Sequence, residues 1–444
     1  MNEKRNARDT ALDVLMSVHK ANAWSDGSLK QAIAKNGLDR RDAALATYLC
    51  YGVIQNRLLL DYYIGCYCTQ KPERLEPVIL NILRIGGYQI LFMDKIPHSA
   101  AVNEAVEMAK RHNRSKASCL VNAVLRKFVI NWLNMPDIPA DSREEYLSIR
   151  YSHPLWLVRR LMELLGDEET EALLQLNNKP IPTTVQTNTL KVTADELERE
   201  LSAVSVEKHP WLDGCFSISS TGNLAELPAF VKGHCMVQDP AAHLVISAAQ
   251  PRPQDKIMDV CAAPGGKSFA AAIAQGDKGE ILSCDVHPHK LQLIEKDAQR
   301  LGISSIRTAL ADGREAHSAW LESADIVLAD VPCSGIGIIR KKPDIRYKNP
   351  KELTDLPQIQ SDILENASAY VCPGGVLVYS TCTLLPEENE QVTEAFLSHH
   401  KEFAREAFVL PNPIGGTGGQ ITLWPQRFGT DGFYMCRMRK KGSV

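Results

Sequence analysis

The chain has 444 residues, of which 44% are hydrophobic and 23% are charged, and its formal net charge is -3. This average composition excludes a disordered, collagen-like or coiled-coil protein, and the length predicts about three domains rather than one. Residues 1–150 carry 21 Lys and Arg against 16 Asp and Glu, and the remainder carries 29 against 37, which suits either an enzyme with an anionic polymer partner or an ordinary solvated surface.

The first third of the chain has a helical pattern. Apolar residues recur at helical spacing from about residue 7 to residue 132, with Gly86-Gly87 and two prolines as breaks. We therefore predict an all-helical bundle over residues 1–135. A helical connector over 136–182 follows, which contains one predicted helix over 155–176.

A change of pattern begins at residue 183. Residues 183–190 and 215–220 alternate like strands, whereas 194–204 and 224–231 are helical. This pattern predicts a small α+β module over residues 183–238.

The remainder, residues 239–444, alternates between apolar strands and helices. Strands are predicted at 257–261, 280–285, 325–330 and 375–381, with closing strands near 404–409, 421–424 and 432–438. Short apolar strands separated by helices are typical of a doubly wound parallel sheet.

Targeting and metal-binding patterns are not found in the sequence. The first residues lack a secretory signal and the longest charge-free stretches are broken by proline and glycine, so we expect a cytoplasmic protein with no membrane partner. The 12 cysteines are scattered without zinc spacing, which predicts neither a metal site nor a disulfide framework. A functional cysteine must therefore be recognised from its local context.

A turn of small residues follows the first strand of the C-terminal region. Its sequence, DVCAAPGGKS, covers residues 259–268. Glycine lets the backbone approach a ligand and the next helix directs its N–H groups there, which indicates a cofactor loop. The final Gly-Lys-Ser also resembles the end of a P-loop, but Cys261 stands where that motif needs glycine. A nucleoside triphosphatase is therefore the less favoured interpretation of this loop.

Two acids occupy the ends of the next strands. Asp285 ends the second strand, where a carboxylate accepts hydrogen bonds from ribose hydroxyls. Asp312 follows the third strand and is placed to accept from an adenine amino group. Each acid alone is more often a capping residue, but together with Asp259 and the glycine turn they indicate a nucleoside-containing cofactor.

Two cysteines follow the fourth and fifth strands. Cys333 comes after Asp330-Val331-Pro332, and Cys382 ends the segment YSTC. Ligands of doubly wound folds bind at the carboxyl ends of the strands. A single cysteine there is more often buried packing, whereas two indicate catalysis.

These motifs carry a resemblance that covers about 260 residues. The segments DVCAAPGGKS, DVPCSGIGIIRKKPDIRY, STCTLLPEENE and DGFYMCRM resemble the S-adenosylmethionine-dependent RNA cytosine-5 methyltransferases. The helical bundle resembles a NusB-type RNA-binding domain, which narrows the resemblance to the RsmB-type enzymes that modify cytosine 967 of bacterial 16S rRNA. The implied fold is multidomain, with an all-α NusB-like bundle, a small α+β (RRM-like) module and a C-terminal α/β Rossmann-like class I methyltransferase domain.

The resemblance also implies the chemistry and the site. A thiolate adds to C6 of cytosine, which makes C5 nucleophilic enough to take a methyl group from S-adenosyl-L-methionine. Cys382 is implied as the nucleophile, Cys333 as the residue that assists product release, and Asp330 as the holder of the base edge. The implied cofactor-binding residues are Cys261, Ala262, Ala263, Pro264, Gly265, Gly266, Lys267, Asp285, Asp312 and Asp330. Lys267 is also expected to lower the pKa of a thiol.

Two further segments bear on RNA binding. We expect a basic lip for phosphates and bases after the Cys333 loop, with a solvated charge run as the equal alternative. The lip residues are Arg340, Lys341, Lys342, Arg346 and Tyr347. Gln186-Thr187 stands where the family usually has Arg-Val, which predicts the loss of one RNA contact.

Alternatives remain at this point. A tRNA cytosine-5 methyltransferase would share every catalytic motif, and a non-catalytic RNA-binding adaptor would share the helical bundle. Nothing in the sequence indicates a permanent protein partner, so we expect a monomer whose partner is 16S rRNA.

Overall fold

The computed structural model describes residues 5–21, 25–219 and 224–442. These residues divide into two units. The first contains the chain up to Lys179 together with Ile339–Lys348, and the second contains Pro180–Ile338 and the chain from Asn349 onward. The sequence-based interpretation of residues 1–4 and of residue 220 lies outside the described part. The finer division at residues 135, 182 and 238 stays a prediction.

The first unit is helical, as predicted. Apolar residues at helical spacing form its core, and among them Leu60, Leu83 and Phe128 are fully buried. The helices are Ala7–Ala21 (α1), Ser25–Asn36 (α2), Arg40–Gln55 (α3), Arg57–Tyr67 (α4), Pro77–Phe92 (α5), His98–Arg111 (α6), Ser118–Asn131 (α7), Arg143–Tyr151 (α8), Leu155–Leu165 (α9) and Asp167–Leu176 (α10).

Glycines in this unit correct two expectations. Gly86 and Gly87 do not interrupt the helix but lie inside α5. An added Cβ would lie 2.5 Å from the Leu125 side chain at Gly86 and 2.9 Å from that of Phe128 at Gly87. Their missing side chains let α5 and α7 pack closely. The predicted helix over 155–176 is two helices, because Gly166 has φ +78° between α9 and α10.

The expected basic lip is wrong for two of its residues. Arg346 and Tyr347 lie in the short 3₁₀ helix Pro343–Tyr347 and pack inside the first unit. The Arg346 side chain has no exposed surface, and the Tyr347 hydroxyl lies 3.0 Å from Ser152 Oγ. In the sequence, a charged residue followed by an aromatic one predicts an RNA-binding surface. In the structure, Arg346 and Tyr347 instead pack inside the first unit.

The second unit begins with the small α+β module. Its four-stranded antiparallel sheet has the order β2-β3-β1-β4. The strands are Thr183–Thr187 (β1), Ser205–Lys208 (β2), Cys215–Ser219 (β3) and Cys235–Val237 (β4), with helices Ala194–Glu200 (α11) and Pro228–Val231 (α12). Gln186 is buried and its Nε2 donates to Cys215 Sγ at 3.2 Å. The side chain at 186 is therefore internal in this chain, and the loss of an RNA contact there stays a prediction.

The larger sheet of the second unit confirms the predicted parallel α/β architecture. Its order is β7-β6-β5-β8-β9-β14-β10, and β13 also pairs with β14. The strands from β5 to β9 are parallel, and β14 joins β9 antiparallel. The strands are Lys256–Asp259 (β5), Glu280–Asp285 (β6), Ile306–Leu310 (β7), Ala324–Asp330 (β8), Val371–Thr381 (β9), Phe403–Arg405 (β10), Val409–Leu410 (β11), Gly415–Gly416 (β12), Gln420–Leu423 (β13) and Phe433–Lys440 (β14).

Helices and apolar layers cover this sheet. Strands β8 and β9 are buried along most of their length, as expected for a sheet with both faces covered. The helices are Pro240–Ala249 (α13), Gly266–Ala274 (α14), Pro288–Leu301 (α15), Leu356–Tyr370 (α16), Glu390–His399 (α17) and Pro425–Phe428 (α18). The parallel strands place their carboxyl ends, and the loops that follow them, at one edge of the sheet. No helix in the described ranges has the length and apolar character that crossing a bilayer requires.

Candidate active site

The turn between β5 and α14 forms one wall of the site. Gly265 caps α14 with φ +102°, and an added Cβ would lie 2.5 Å from the ring of Phe269. Only glycine fits there, so the backbone passes close to the start of the helix. The turn therefore presents main-chain N–H groups at the helix N-terminus, an arrangement that favours a polar or negatively charged ligand group.

Asp259 lies beneath this turn. Its Oδ2 accepts a hydrogen bond of 2.7 Å from Ser268 Oγ, which in turn accepts from Ser283 Oγ at 2.8 Å. Burial raises the pKa of the Asp259 carboxyl to about 6, although the Ser268 hydrogen bond opposes that rise. This carboxyl supports the turn from inside and is not exposed to solvent.

The two predicted nucleoside acids lie at the ends of β6 and β7. Asp285 is 8% exposed, and its Oδ1 accepts from the backbone N–H of His287 at 2.9 Å. Asp312 follows β7 and is paired with Arg314, whose Nη2 lies 2.6 Å from Oδ2. This hydrogen bonding lowers the pKa of Asp312 to about 2. Arg314 contacts both oxygens of Asp312, a partner that the sequence analysis did not anticipate.

The loops after β8 and β9 bring the two predicted cysteines together. The Sγ atoms of Cys333 and Cys382 are 3.0 Å apart, and both residues are free cysteines. The hydrogen bond with Cys382, together with burial, raises the pKa of Cys333 well above its usual range. The thiol form of Cys333 is therefore favoured at its position beside the Cys382 sulfur.

A carboxylate and an amine lie at the same edge of the sheet. Lys267 Nζ is 2.6 Å from Asp330 Oδ2, and Ser380 Oγ donates to Asp330 Oδ1 at 2.8 Å. The Lys267 side chain is 10% exposed and that of Asp330 is 30% exposed. The ammonium group also lies 5.0 Å from the ring centroid of Phe433. Lys267 thus has Asp330 as its ion-pair partner, and its expected effect on a thiol stays a prediction.

The turn after β5 lies close to the ends of β6 and β8. Burial raises the pKa of Cys261 well above its usual range, and the nearby carboxylates of Asp259, Asp330 and Asp285 add to that effect. Cys261 in the cofactor loop therefore lies near acids from three different strand ends. Within the described ranges, no group of three or more His, Cys, Asp and Glu side chains is placed to hold a metal ion.

Glu388 is a site residue that the sequence analysis missed. Its buried Oε2 accepts from the backbone N–H of Ser334 at 2.8 Å and from Gln360 Nε2 at 2.9 Å. The same Gln360 nitrogen donates to the carbonyl oxygen of Pro332 at 2.9 Å. Glu388 and Gln360 therefore hold the backbone on both sides of Cys333. The signal was available, since Glu388 lies inside the quoted motif STCTLLPEENE.

Asn389 fixes the second cysteine loop in the same way. Its Oδ1 accepts from Thr381 Oγ1 at 2.6 Å, and its Nδ2 donates to the carbonyl oxygen of Thr383 at 3.1 Å. The backbone N–H of Gly337 donates to the carbonyl oxygen of Cys382 at 3.0 Å. An added Cβ at Gly337 would lie 2.1 Å from the carbonyl oxygen of Gly432, so the Cys333 loop runs very close to its neighbours.

Family models match three successive parts of the chain. The NusB family model matches residues 5–129, and a ferredoxin-like domain model of RsmF/B-like methyltransferases matches residues 153–224. The model described as 16S rRNA methyltransferase RsmB/F matches residues 246–439. The last match contains all the site residues described above.

Relatives match the chain over its full length. The probable ribosomal RNA small subunit methyltransferase B of Bacillus subtilis is 36% identical over 99% of this chain and 100% of its own. The protein of the same description from Synechocystis is 32% identical over 98% and 99%. The crystal structure of PH0851 has a TM-score of 0.80 at 27% identity and covers 98% of both chains. A methyltransferase homologue from Pyrococcus horikoshii has a TM-score of 0.58 at 25% identity over 68% of this chain and all of its own.

Proposed function

Because this chain belongs to the family of 16S rRNA methyltransferases RsmB/F, we propose that it transfers a methyl group to C5 of a cytosine in 16S rRNA through a covalent bond between Cys382 and C6. The chain is an S-adenosyl-L-methionine-dependent rRNA methyltransferase. The proposal adds which atom of the base is methylated and which residues carry out the reaction. The observation that carries it is the 3.0 Å approach of two free cysteines, with Asp330 on the strand that precedes the Cys333 loop.

The residues at the cofactor loop fit S-adenosyl-L-methionine. The buried carboxylate of Asp285 at the end of β6 suits ribose hydroxyls, and the helix start at Gly265 and Gly266 suits a polar group near the backbone. Cys261 in place of a P-loop glycine and the ion pair of Lys267 with Asp330 do not favour a triphosphate. When bound, the cofactor supplies an electrophilic methyl group. Cys261–Lys267, Asp285, Asp312 and Asp330 are the residues that we propose to hold it.

Cys382 begins the reaction as the nucleophile. Its thiolate forms a bond to C6, and the electron pair of the C5–C6 double bond moves to C5. C5 then takes the methyl group as the bond between that group and the sulfonium sulfur breaks, which leaves S-adenosylhomocysteine. A base, which solvent water can supply, takes the C5 proton. The electrons of the C5–H bond restore the double bond, and the C6–S bond breaks to release the Cys382 thiolate. A thiolate suits both steps because it is a strong nucleophile and a good leaving group.

Cys333 and Asp330 assist these steps. The raised pKa of Cys333 keeps it protonated beside the sulfur of Cys382, so it can donate a hydrogen bond to the departing thiolate. Asp330 holds the N3 and amino edge of the base by accepting from the amino group and by sharing a proton with N3, while Lys267 and Ser380 fix its carboxyl group. DNA cytosine-5 methyltransferases attack from a Pro-Cys, so the opposite assignment of the two cysteines is the alternative that must be tested.

The proposed target is cytosine 967 of 16S rRNA. It is supported by the resemblance of the motifs and by relatives described as small subunit methyltransferase B that match the full chain. The NusB match over residues 5–129 favours this target over a tRNA. The assembled cysteine pair and its support by Glu388 favour an enzyme over an inactive adaptor.

A covalent trap tests the cysteine roles. We expect Cys333→Ala to accumulate RNA bound to Cys382, visible as a slow band on a denaturing gel that ribonuclease removes, because the adduct forms but is released slowly. Cys382→Ala should form no such band. Cys372→Ala is a matched control, because Cys372 lies near the start of β9, the strand that ends directly before Cys382. Sequencing the attached RNA identifies the nucleotide.

Each other outcome changes the assignment. A band with Cys382→Ala alone exchanges the two roles. No band with either variant contradicts the covalent mechanism, and a band with Cys372→Ala shows that the adduct does not depend on the site.

A further inference from the structure

Arg346 is a fully buried cation whose described hydrogen bonds go to oxygens other than carboxylates. It has no exposed surface, although it lies only 13 positions after Cys333 in a segment that looks basic and solvated in sequence. Its Nη1 donates to the carbonyl oxygens of Gln55, Tyr151 and Ser152 at 3.1, 3.4 and 3.2 Å and to Asn178 Oδ1 at 2.9 Å, and its Nη2 donates to the carbonyl oxygen of Asn177 at 3.4 Å.

These oxygens belong to the ends of three helices. Gln55 ends α3, Tyr151 ends α8, and Asn177 caps the end of α10. The carboxyl end of a helix carries a partial negative charge and carbonyls that lack a partner within the helix. The guanidinium group brings a positive charge to all three ends and adds hydrogen bonds to their carbonyls, two of which also accept from other side chains. Burial lowers the pKa of Arg346 to about 10, so the group remains charged at neutral pH.

Tyr347 attaches the same segment at a second point. Its hydroxyl lies 3.0 Å from Ser152 Oγ, which accepts from the backbone N–H of Leu58 at 2.8 Å. The guanidinium carbon of Arg57 stands 3.8 Å from the centroid of the Tyr347 ring, in cation–π geometry. Residues 339–348, hereafter the anchor segment, are therefore bound firmly in the first unit.

The chain leads directly from the anchor segment to the site cysteines. Residues 334–338 join Cys333 to the anchor segment and belong to the second unit. Within them, the backbone N–H of Ser334 donates to Glu388, and that of Gly337 donates to the carbonyl oxygen of Cys382. Gly337, which contacts the backbone of Cys382, is therefore only nine positions before Arg346 in the chain.

We propose that Arg346 is a positioning residue: by holding the anchor segment among three helix ends of the first unit, it fixes the far end of the Cys333 loop and so keeps Cys333 beside Cys382. This proposal rests on the cysteine roles under Proposed function.

Hydrogen exchange tests the proposal without any activity. In Arg346→Met, the amides of Ser334 and Gly337 should exchange about tenfold faster than in the wild-type protein, because their loop has lost its fixed end. Arg84→Met is the matched control, since Arg84 is also buried in the first unit, where it pairs with Asp61 at 2.7 Å, but lies outside the anchor segment. Its effect on those two amides should be absent.

Two outcomes would overturn the proposal: unchanged exchange at Ser334 and Gly337 in Arg346→Met, or an equal increase in Arg84→Met. If Arg346→Met does not fold, Tyr347→Phe decides, because it removes only the hydroxyl contact with Ser152. That variant should speed the exchange of the same amides by a smaller factor, and unchanged exchange there counts against the proposal.

A covalent assay gives the catalytic readout. With both cysteines intact, Arg346→Met should accumulate RNA adduct and turn over about tenfold more slowly, with an unchanged KM for S-adenosylmethionine. Arg84→Met should accumulate no adduct. If Cys333→Ala itself forms no adduct, the proposed cysteine roles fail, whereas the exchange of the Ser334 and Gly337 amides still decides whether Arg346 holds the loop.

Discussion

Asp330 receives two hydrogen bonds, one from a cation and one from a hydroxyl. Lys267 donates to one carboxylate oxygen and Ser380 to the other, while 30% of the side chain stays exposed at the edge of the sheet. Such a carboxylate is oriented but still accessible to a base. The resemblance assigns it to both the base and the cofactor, and the two assignments can be separated.

Asp330→Asn should lower the rate of methyl transfer by about 10²-fold, because the amide cannot carry the charge that holds the base edge. The affinity for S-adenosylhomocysteine should change far less. Single-turnover transfer and calorimetric titration measure the two quantities. Ser380→Ala is the control, since it keeps the carboxylate and removes only one donor. Equal losses of rate and affinity in Asp330→Asn would assign the carboxylate to the cofactor instead.

Asp259 should make stability depend on pH. Burial raises its pKa from 3.8 to about 6, so the folded state holds the proton more tightly than the unfolded state. The resulting stabilisation is complete below pH 3.8 and is lost as the pH rises through about 6. Asparagine does not titrate, so the free energy of unfolding of Asp259→Asn relative to wild type should rise by up to about 3 kcal/mol between about pH 4 and about pH 7.

Urea denaturation at several pH values measures this difference. Ser268→Ala serves as a control in the opposite direction, because it removes the hydrogen bond that lowers the pKa of Asp259 and should move the pH window upward. A pH-independent difference between Asp259→Asn and wild type would contradict the prediction.

Two loops and the start of one helix form the part of the site for which we propose the catalytic role. The loops follow β8 and β9, and α17 begins directly after Glu388 and Asn389, which bind both loops. The side chains of Glu388 and Asn389 therefore hold the two loops that carry the cysteines. The buried Glu388 carboxylate accepts from Ser334 and Gln360 and is fixed in position, so we expect it to hold the Cys333 loop rather than to contact the substrate.

Glu388→Gln should lower kcat by up to about 10²-fold without a matching change in KM for S-adenosylmethionine. The amide places an N–H group where the carboxylate accepts from Ser334 and Gln360, so the Cys333 loop shifts. Steady-state kinetics with both substrates measure the split. Glu390→Gln is the matched control, because Glu390 lies two positions further on and accepts from Thr422 instead. Equal losses in both variants would contradict a specific role of Glu388.

Local patterns predicted the elements well where neighbours in sequence decide the structure. The apolar runs placed the strands that end at Asp285, Asp330 and Thr381, and the strand ends led to both cysteines. Long-range contacts were not predictable in this way. Arg346 looks like an exposed RNA contact because its oxygen partners lie 168 to 291 positions earlier in the chain, and no pattern around residue 346 reveals them.

At the scale of the whole molecule, the order of domains is shared with full-length relatives. The matches to a NusB family model, a ferredoxin-like domain model and a methyltransferase model follow one another along the chain. The Bacillus subtilis relative aligns over its entire length, so the helical unit is part of the family architecture. The effect of a ligand on thermal stability should therefore be measured on the full chain.

S-adenosylhomocysteine should raise the melting temperature of the full chain, whereas ATP with Mg²⁺ should not. At a concentration of about 100 times its Kd, the ligand adds about 2.7 kcal/mol to the stability of the unit that binds it. Differential scanning calorimetry measures the shift. Asp285→Asn is the control variant, in which the shift should be smaller because the proposed ribose contact is lost. Stabilisation by ATP alone would favour the nucleotide-hydrolase alternative.

The placement of Arg346 also has a consequence for biosynthesis. The first unit contains Ile339–Lys348, so its helices emerge from the ribosome long before the residue that joins their ends has been made. At about 5–20 residues per second, translation from Lys179 to Lys348 takes about 10–30 s. Throughout that interval α3, α8 and α10 lack their shared cation. The N-terminal unit therefore completes its packing only after the codon for Cys333 has been translated.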